Sequence, residues 1–395
     1  RQRNRGASDV QAGDFDLDGD LDLVGAATTG DLIVLYENTG GQVFVESELA
    51  IFAGAYALWV EDMTGDGYPD IVCASGEHND IRLYTNNQDM TFTESIIDGD
   101  FSQARSVHAS DMDSDGDMDI VGSARSANDI YWYRNLGGNY IGYPIDTEFA
   151  GATDAIGVDL NQDGFTDVLA CGQIMDELAW YQNDGTQEFT KHVIASGVDG
   201  IRSAVAADLD ADGDLDVAAT MYNGHTVEWW ENDGNQLFTN HLLVSNFRNP
   251  YDIVAADLSG DGSIDLIISA EEDDSLAWLE NDGSGNFVLN LIDGDYERPR
   301  GLCVADLNQD GRLDVLASAN RESQIQWWEN LFSYIPEPVS VTVTPINPPV
   351  VVPAEGAFVR FVTSRERYGP LGTFDAWISI TNLATNNTQN TPSFE

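Results

Sequence analysis

Short apolar runs alternate with polar turns along most of this chain, and no stretch sustains the period of an amphipathic helix. The region around residue 208 is representative. Residues 203–207 are small and apolar, suited to a crowded strand, and an acidic stretch follows before a second apolar run at 217–220. A polar turn at 222–225 leads into 226–230, where apolar and polar residues mix, and an Asn-Asp-Gly turn at 232–234 precedes a fourth run at 238–244. The pattern predicts a four-stranded antiparallel sheet.

That unit recurs. Nine-residue acidic segments begin at Asp14, Asp62, Asp111, Asp159, Asp208, Asp257 and Asp306, spaced by 48 or 49 residues. An Asn follows each first Asp by 24 residues (Asn38, Asn86, Asn135, Asn183, Asn232, Asn281, Asn330), with an aromatic just before it (Tyr36, Tyr84, Trp132, Trp180, Trp229, Trp278, Trp327). Such an aromatic ladder can serve as a sugar platform, but at strand spacing on every repeat it reads as core between sheets. One sheet of this size cannot bury both faces alone, so neighbours must stack. The expectation is an all-β fold: a seven-bladed β-propeller whose first strands line a narrow channel.

Residues 1–334 are assigned to the propeller, 335–353 to a Pro-rich linker and 354–395 to a partial immunoglobulin-like β segment, with strands expected at 358–362 and 375–380 and an irregular end at 386–391. The seventh unit lacks a fourth strand. It can be closed by a segment preceding Arg1, by residues 339–343, or by another subunit, which would make the open blade an assembly joint.

The acidic segments follow the template D-x-[DNTS]-x-D-G-x-x-D, which suits calcium. Oxygen ligands come from position 1 (the seven first Asp residues), position 3 (Asp16, Thr64, Asp113, Asn161, Asp210, Ser259, Asn308) and position 5 (Asp18, Asp66, Asp115, Asp163, Asp212, Asp261, Asp310). Position 9 supplies the last side chain (Asp22, Asp70, Asp119, Asp167, Asp216, Asp265, Asp314). Position 7 varies (Asp20, Tyr68, Asp117, Phe165, Asp214, Ser263, Arg312), as expected if only its carbonyl coordinates. Position 6 is always Gly, where the chain must bend sharply. Oxygen-only ligation favours Ca²⁺ over Zn²⁺. About seven ions are expected, one per blade, acting as fasteners between first and second strands. The hydroxyls of Thr64 and Ser259 mark the second and sixth sites as the weakest.

On these loops the chain resembles the FG-GAP/VCBS-repeat propellers, which include integrin α-chain propellers and many bacterial secreted proteins and lectins. The resemblance spans roughly residues 6–332 and is specific for fold and calcium rather than for function. It implies calcium loops on one face and partners on the opposite face or between blades.

Charge narrows the function classes. The chain of 395 residues carries a formal net charge of −51, with 68 Asp and Glu against 17 Lys and Arg. Seven dications would offset only part of this, so nucleic acid and anionic lipid are poor partners. No apolar stretch reaches membrane-spanning length. Cys73, Cys171 and Cys303 lie in apolar runs and read as unpaired buried thiols. The chain starts at Arg1, as a processed product does, and calcium loops fill readily outside cells. A secreted or surface-displayed prokaryotic protein is expected.

On the side away from the loops, positions that differ between blades are candidates for a ligand site. Tyr56, Arg105, Arg202, Tyr251 and Arg300 stand six residues before a first Asp, Asp154 and Asp252 five, and His108 three. They could grip a sugar, carboxylate or peptide, or form only a wet channel rim with bridges between blades. No Ser/His/Asp order, HExxH or phosphate loop occurs. The favoured function is a binding or structural module for glycan or protein, self-assembly included. A sugar-processing lyase or dehydratase is the alternative.

Overall fold

The computed structural model describes residues 6–321 and 324–331 and the backbone of 379–382 and 387–390. The chain divides into two compact units, Arg1–Ile335 and Pro336–Glu395. In the first unit, six antiparallel sheets of four strands and a seventh with three described strands follow one another in chain order. Blade five shows the pattern: Ile201–Ala207, Asp216–Met221, Thr226–Asn232 and Phe238–Ser245 pair in sequence order. Every second strand is buried along its whole length, because each sheet is covered on both faces by its neighbours.

The ring is visible in how the core divides. Apolar side chains form seven clusters, one at each interface between adjacent blades. The cluster joining blades seven and one is the smallest, with Val10, Leu23, Leu307 and Leu316 as its buried members. Near it, Gln309 donates to Asp20 Oδ1 at 2.8 Å. Among the described residues, closure therefore rests on packing, with no strand exchanged. Residues 339–343, one expected source of a fourth strand, lie outside the described residues.

The third-strand aromatics are core, as expected: Trp132, Trp180 and Trp229 are at most 4% exposed. Each fourth strand opens with an aromatic that packs back on the preceding blade, as in the edge-to-face pairs Trp132–Phe189 and Trp229–Phe287. Two buried hydroxyls are satisfied across the same interfaces, Tyr133 donating to Asp98 at 2.9 Å and Tyr181 to Asp146 at 2.7 Å. Cys73 and Cys171 are buried, Cys303 is half-buried, and all three are free thiols.

The Asn that ends each third strand has a defined task. Asn183 Nδ2 donates to Thr166 O in its own blade at 3.1 Å and to Met112 O in the preceding blade at 3.0 Å. Asn86, Asn135, Asn281 and Asn330 make the same cross-blade bond, to Phe15, Met63, Leu209 and Leu258. Among the described residues, Asn232 Nδ2 reaches only Leu215 O, inside its own sheet.

In the second unit the described backbone is one antiparallel pair, Ser379–Asn382 with Asn387–Asn390. The second strand falls within the Asn-rich run expected to be irregular, since backbone pairing there needs no apolar side chains. The linker and the expected strand at 358–362 lie outside the described residues.

Asn183→Ala would strand two carbonyls, a buried one in the preceding blade and a half-buried one in its own. Urea unfolding is expected to show a loss of about 1–3 kcal/mol. Asn232→Ala should cost less, and equal losses would contradict the cross-blade role.

Candidate functional site

The acidic loops are built the same way in all seven blades. The Gly at position 6 has φ between 85° and 98°, a left-handed bend that residues with a Cβ rarely adopt. This bend turns its N–H onto Oδ2 of the first Asp at 2.7–3.1 Å, as in Gly67 to Asp62 and Gly213 to Asp208. The position-7 N–H donates to the position-5 carboxylate, Tyr68 to Asp66 at 3.0 Å being one case. The position-9 carboxylate is buried and holds two backbone donors. Asp216 accepts from Leu209 N at 3.0 Å and Asn232 N at 2.7 Å.

Burial pushes these position-9 acids up, with the two N–H donors pulling back. Asp22, Asp70 and Asp119 reach about 6, and Asp167 and Asp216 about 7.

The oxygens fit a hard cation. In three loops three carboxylates bring one oxygen each within 4.8 Å of one another: Asp14, Asp16 and Asp18; Asp111, Asp113 and Asp115; Asp208, Asp210 and Asp216. The other four loops carry Thr64, Asn161, Ser259 or Asn308 in place of an acid at position 3. Asp14 Oδ1 and Asp208 Oδ1 are buried with no hydrogen-bond partner among the described residues. Buried carboxylate oxygens without donors are costly, and a cation would satisfy them. In two loops an arginine approaches the same oxygens. Arg134 Nε lies 2.5 Å from Asp113 Oδ2, and Arg312 pairs with Asp310.

The second candidate sits at the opposite ends of the first strands, away from the acidic loops. A register shift near the start of each first strand leaves Ser8, Tyr56, Arg105, Thr153, Arg202, Tyr251 and Arg300 outside regular pairing. Such bulges re-aim side chains, and here they mark the variable positions picked out from the sequence. A cavity of about 540 Å³ opens there, lined by Tyr56, Arg105, Arg202, Tyr251 and Arg300. Turns between second and third strands add Arg125, Gln173, Ile174, Asp176, Tyr222, Asn223 and Glu271. Asp199 completes its wall. A narrower cavity of about 280 Å³ continues down the channel between all seven first strands.

Within the mouth, rings and guanidiniums stack. The guanidinium carbon of Arg202 lies 3.5 Å from the Tyr251 ring centre and that of Arg105 lies 4.2 Å from Tyr56. The Tyr56 hydroxyl contacts the Tyr251 hydroxyl and accepts from Arg202. Burial would raise the Tyr56 phenol, but the charges of Arg202, Arg105 and Arg300 outweigh it and bring it to about 8. Glu271, 1% exposed, takes Arg300 at 2.7 Å, Arg298 at 2.8 Å and the Tyr222 hydroxyl at 2.6 Å. Burial opposes its charge, yet these partners hold it below the usual range.

The structure thus brings together Tyr56, Arg105, Arg202, Tyr251 and Arg300. His108, Asp154 and Asp252 lie deeper and serve the wall. Asp154 accepts from Ala204 N at 3.2 Å, and Asp252 from Leu302 N at 2.9 Å, each tying its first strand to the next. Asp9 does the same with Leu58 N at 2.7 Å. Burial and mutual repulsion push Asp154 to about 7. Burial alone lowers His108 to about 4, and its Nδ1 accepts from Gly157 N at 3.3 Å.

Arg125, Tyr222 and Glu271 were not singled out from sequence. They lie in the turns between second and third strands, and nothing periodic marks one residue of a polar turn.

One pattern of charge stands out. Arg82, Arg134, Lys191, Arg248, Arg298, Arg300, Arg312 and Arg321 each pair with a carboxylate. Arg105, Arg125 and Arg202 have no such pair among the described residues, and all three line the mouth. Nε of Arg105 and of Arg202 is buried with no hydrogen-bond partner there.

Comparison with known proteins agrees with the geometry. FG-GAP-like repeats match at residues 62–122, 111–170, 159–219, 208–268 and 259–317. No curated protein matches the sequence. Among solved structures, a catalytically inactive virginiamycin B lyase from Staphylococcus aureus with quinupristin is similar at a TM-score of 0.56 and 14% identity, over 82% of this chain and 94% of that one. A nidogen/laminin complex is similar at a TM-score of 0.48 and 9% identity, over 71% of this chain and 96% of that one. At 14% identity the likeness to the lyase is one of fold. The repeats span most of the propeller, and the chain belongs to the FG-GAP-like repeat family.

Proposed function

We propose that this protein is an extracellular, calcium-stabilised propeller that acts as a binding module through the mouth opposite its acidic loops. The observation that carries this is a contrast within one ring. The loops are alike in every blade, whereas the mouth draws different residues from different blades into one asymmetric cavity. Repetition suits a structural task, and departure from it suits recognition.

Calcium would be held by the side chains at positions 1, 3, 5 and 9 of each loop. Bound, it would supply positive charge to crowded carboxylates; it has no part in chemistry at the mouth. Its ligands include the buried, donor-less oxygens of Asp14 and Asp208. A glycan or protein is the ligand class for the mouth, and the excess of negative charge argues against nucleic acid. Self-assembly through blade seven is a further possibility of the same kind, since Gln324–Trp328 has no strand on its outer side among the described residues.

A second reading, a sugar-processing lyase or dehydratase, has one observation in its favour. Tyr56 has its phenol brought to about 8 beside Arg202 and Tyr251, which suits a proton-abstracting base. Incubation with uronate-containing polysaccharides, followed by ultraviolet absorbance of unsaturated ends, tests it. The binding reading predicts no product. Turnover lost in Tyr56→Phe would replace it.

Chelation is expected to lower the melting temperature by tens of degrees, restored by added Ca²⁺ and far less by Mg²⁺, because the loop carboxylates would then repel without compensation. A melting curve unchanged by chelator would contradict the calcium assignment. A glycan array run with Ca²⁺ tests the binding reading, which predicts hits lost on Tyr222→Ala. Hits insensitive to every substitution at the mouth would contradict it.

A further inference from the structure

We infer that the mouth recognises a single carboxylate at the end of an otherwise neutral glycan, a terminal uronic acid being the simplest case. This rests on the proposed binding role of the mouth and narrows its ligand. In a chain of net charge −51, a positive group without a carboxylate partner is the exception. Among the described residues only Arg105, Arg125 and Arg202 are such groups, and they converge from blades two apart and neighbouring turns onto one cavity. The cavity holds their charges close enough that Arg105 and Arg202 add to burial in lowering the Arg125 guanidinium.

The remaining hydrogen-bonding capacity is where a ligand would need it. Arg202 spends one amino group on the Tyr56 hydroxyl and leaves its buried Nε without a partner, and Arg105 Nε is in the same state. Arg125 has only the neutral Gln173 oxygen, at 3.2 Å. A buried guanidinium with idle donors is costly, and a carboxylate meets it with two parallel bonds.

The acids nearby do not fill this role. Glu271 is taken by Arg298, Arg300 and Tyr222, and Asp176 caps Gly200 N at 2.8 Å. Asp199 stands exposed at the rim. Asp154 and Asp252 are occupied by backbone donors of the next blade.

Two features select the kind of carboxylate. The surrounding charge would repel a polyanion laid across the face, so one anionic group is favoured over many. Around the arginines stand Gln173, Asn223 and the half-buried ring of Tyr222, which suit hydroxyls and the flat face of a sugar.

Calorimetric titration in calcium buffer tests this with three probes: a neutral oligosaccharide ending in glucuronate, the same oligosaccharide with that carboxyl converted to an amide, and a short peptide with a free C-terminal carboxylate. The glucuronate probe should bind at least tenfold more tightly than either of the others and weaken with salt. Arg105→Gln and Arg125→Gln should each lose at least tenfold in affinity with melting temperatures unchanged. Arg248→Gln, removing an arginine paired with Asp273, should bind as the parent does.

Equal binding of acid and amide would overturn the inference while leaving a glycan-binding mouth, and preference for the peptide would overturn the sugar assignment. Loss of binding only together with loss of folding would be resolved by titrating Arg125→Gln, which lies in a turn; full affinity there would also overturn it. No binding of any probe would overturn this inference, and the array hits would decide the broader reading separately.

Discussion

A buried carboxylate at the end of each acidic loop is the interaction on which the ring depends. Asp22, Asp70, Asp119, Asp167, Asp216, Asp265 and Asp314 are at most 1% exposed. Each holds one backbone N–H from the start of its loop and one from the end of the third strand, as Asp167 holds Leu160 at 3.2 Å and Asn183 at 2.8 Å. One side chain thereby fixes the hairpin between the first two strands against the third. Burial works against the charged form and pushes these acids above their ordinary range, and the two donors only partly reverse that. The proposed cation would complete the compensation from the other side of the loop.

From that anchor the cohesion spreads outward in the same periodic terms. In five blades the Asn whose N–H the carboxylate holds uses its own side chain to reach the preceding blade, so loop, sheet and interface are joined through adjacent atoms, as at Asn183. Aromatic rings then fill the interface, and the hydroxyls of Tyr133 and Tyr181 end on an Asp of the blade before. At the channel, Asp9, Asp154 and Asp252 tie first strands together by the same kind of bond. Charge in this protein is thus largely structural, spent on backbone donors rather than on surface ion pairs.

What was legible in the sequence is what repeats. The expected strand at 203–207 becomes Ile201–Ala207, and the fourth run at 238–244 becomes Phe238–Ser245. The aromatic ladder is core because the rings recur wherever one sheet must cover the next. Less legible was the division of labour among residues that do not repeat. His108, Asp154 and Asp252 were grouped with the arginines, since sequence spacing puts them on the same strands. One to three residues further along the strand than the mouth positions, a side chain points into the channel wall, and there the next blade's backbone claims it. The mouth itself joins Tyr56 to Tyr251 and Arg202, residues 195 and 146 positions apart. Only ring closure brings such positions together, and the turns that add Arg125 and Tyr222 have no pattern to announce them.

The central claim is that each loop is a cage for one dication and that the ring is built around those cages. Elemental analysis of the purified protein, equilibrated with Ca²⁺ and then freed of unbound metal, measures it most directly. The account predicts close to one calcium per loop, seven per chain, with the shortfall falling first on loops whose third position is a hydroxyl. A folded protein that retains no calcium under these conditions would contradict it.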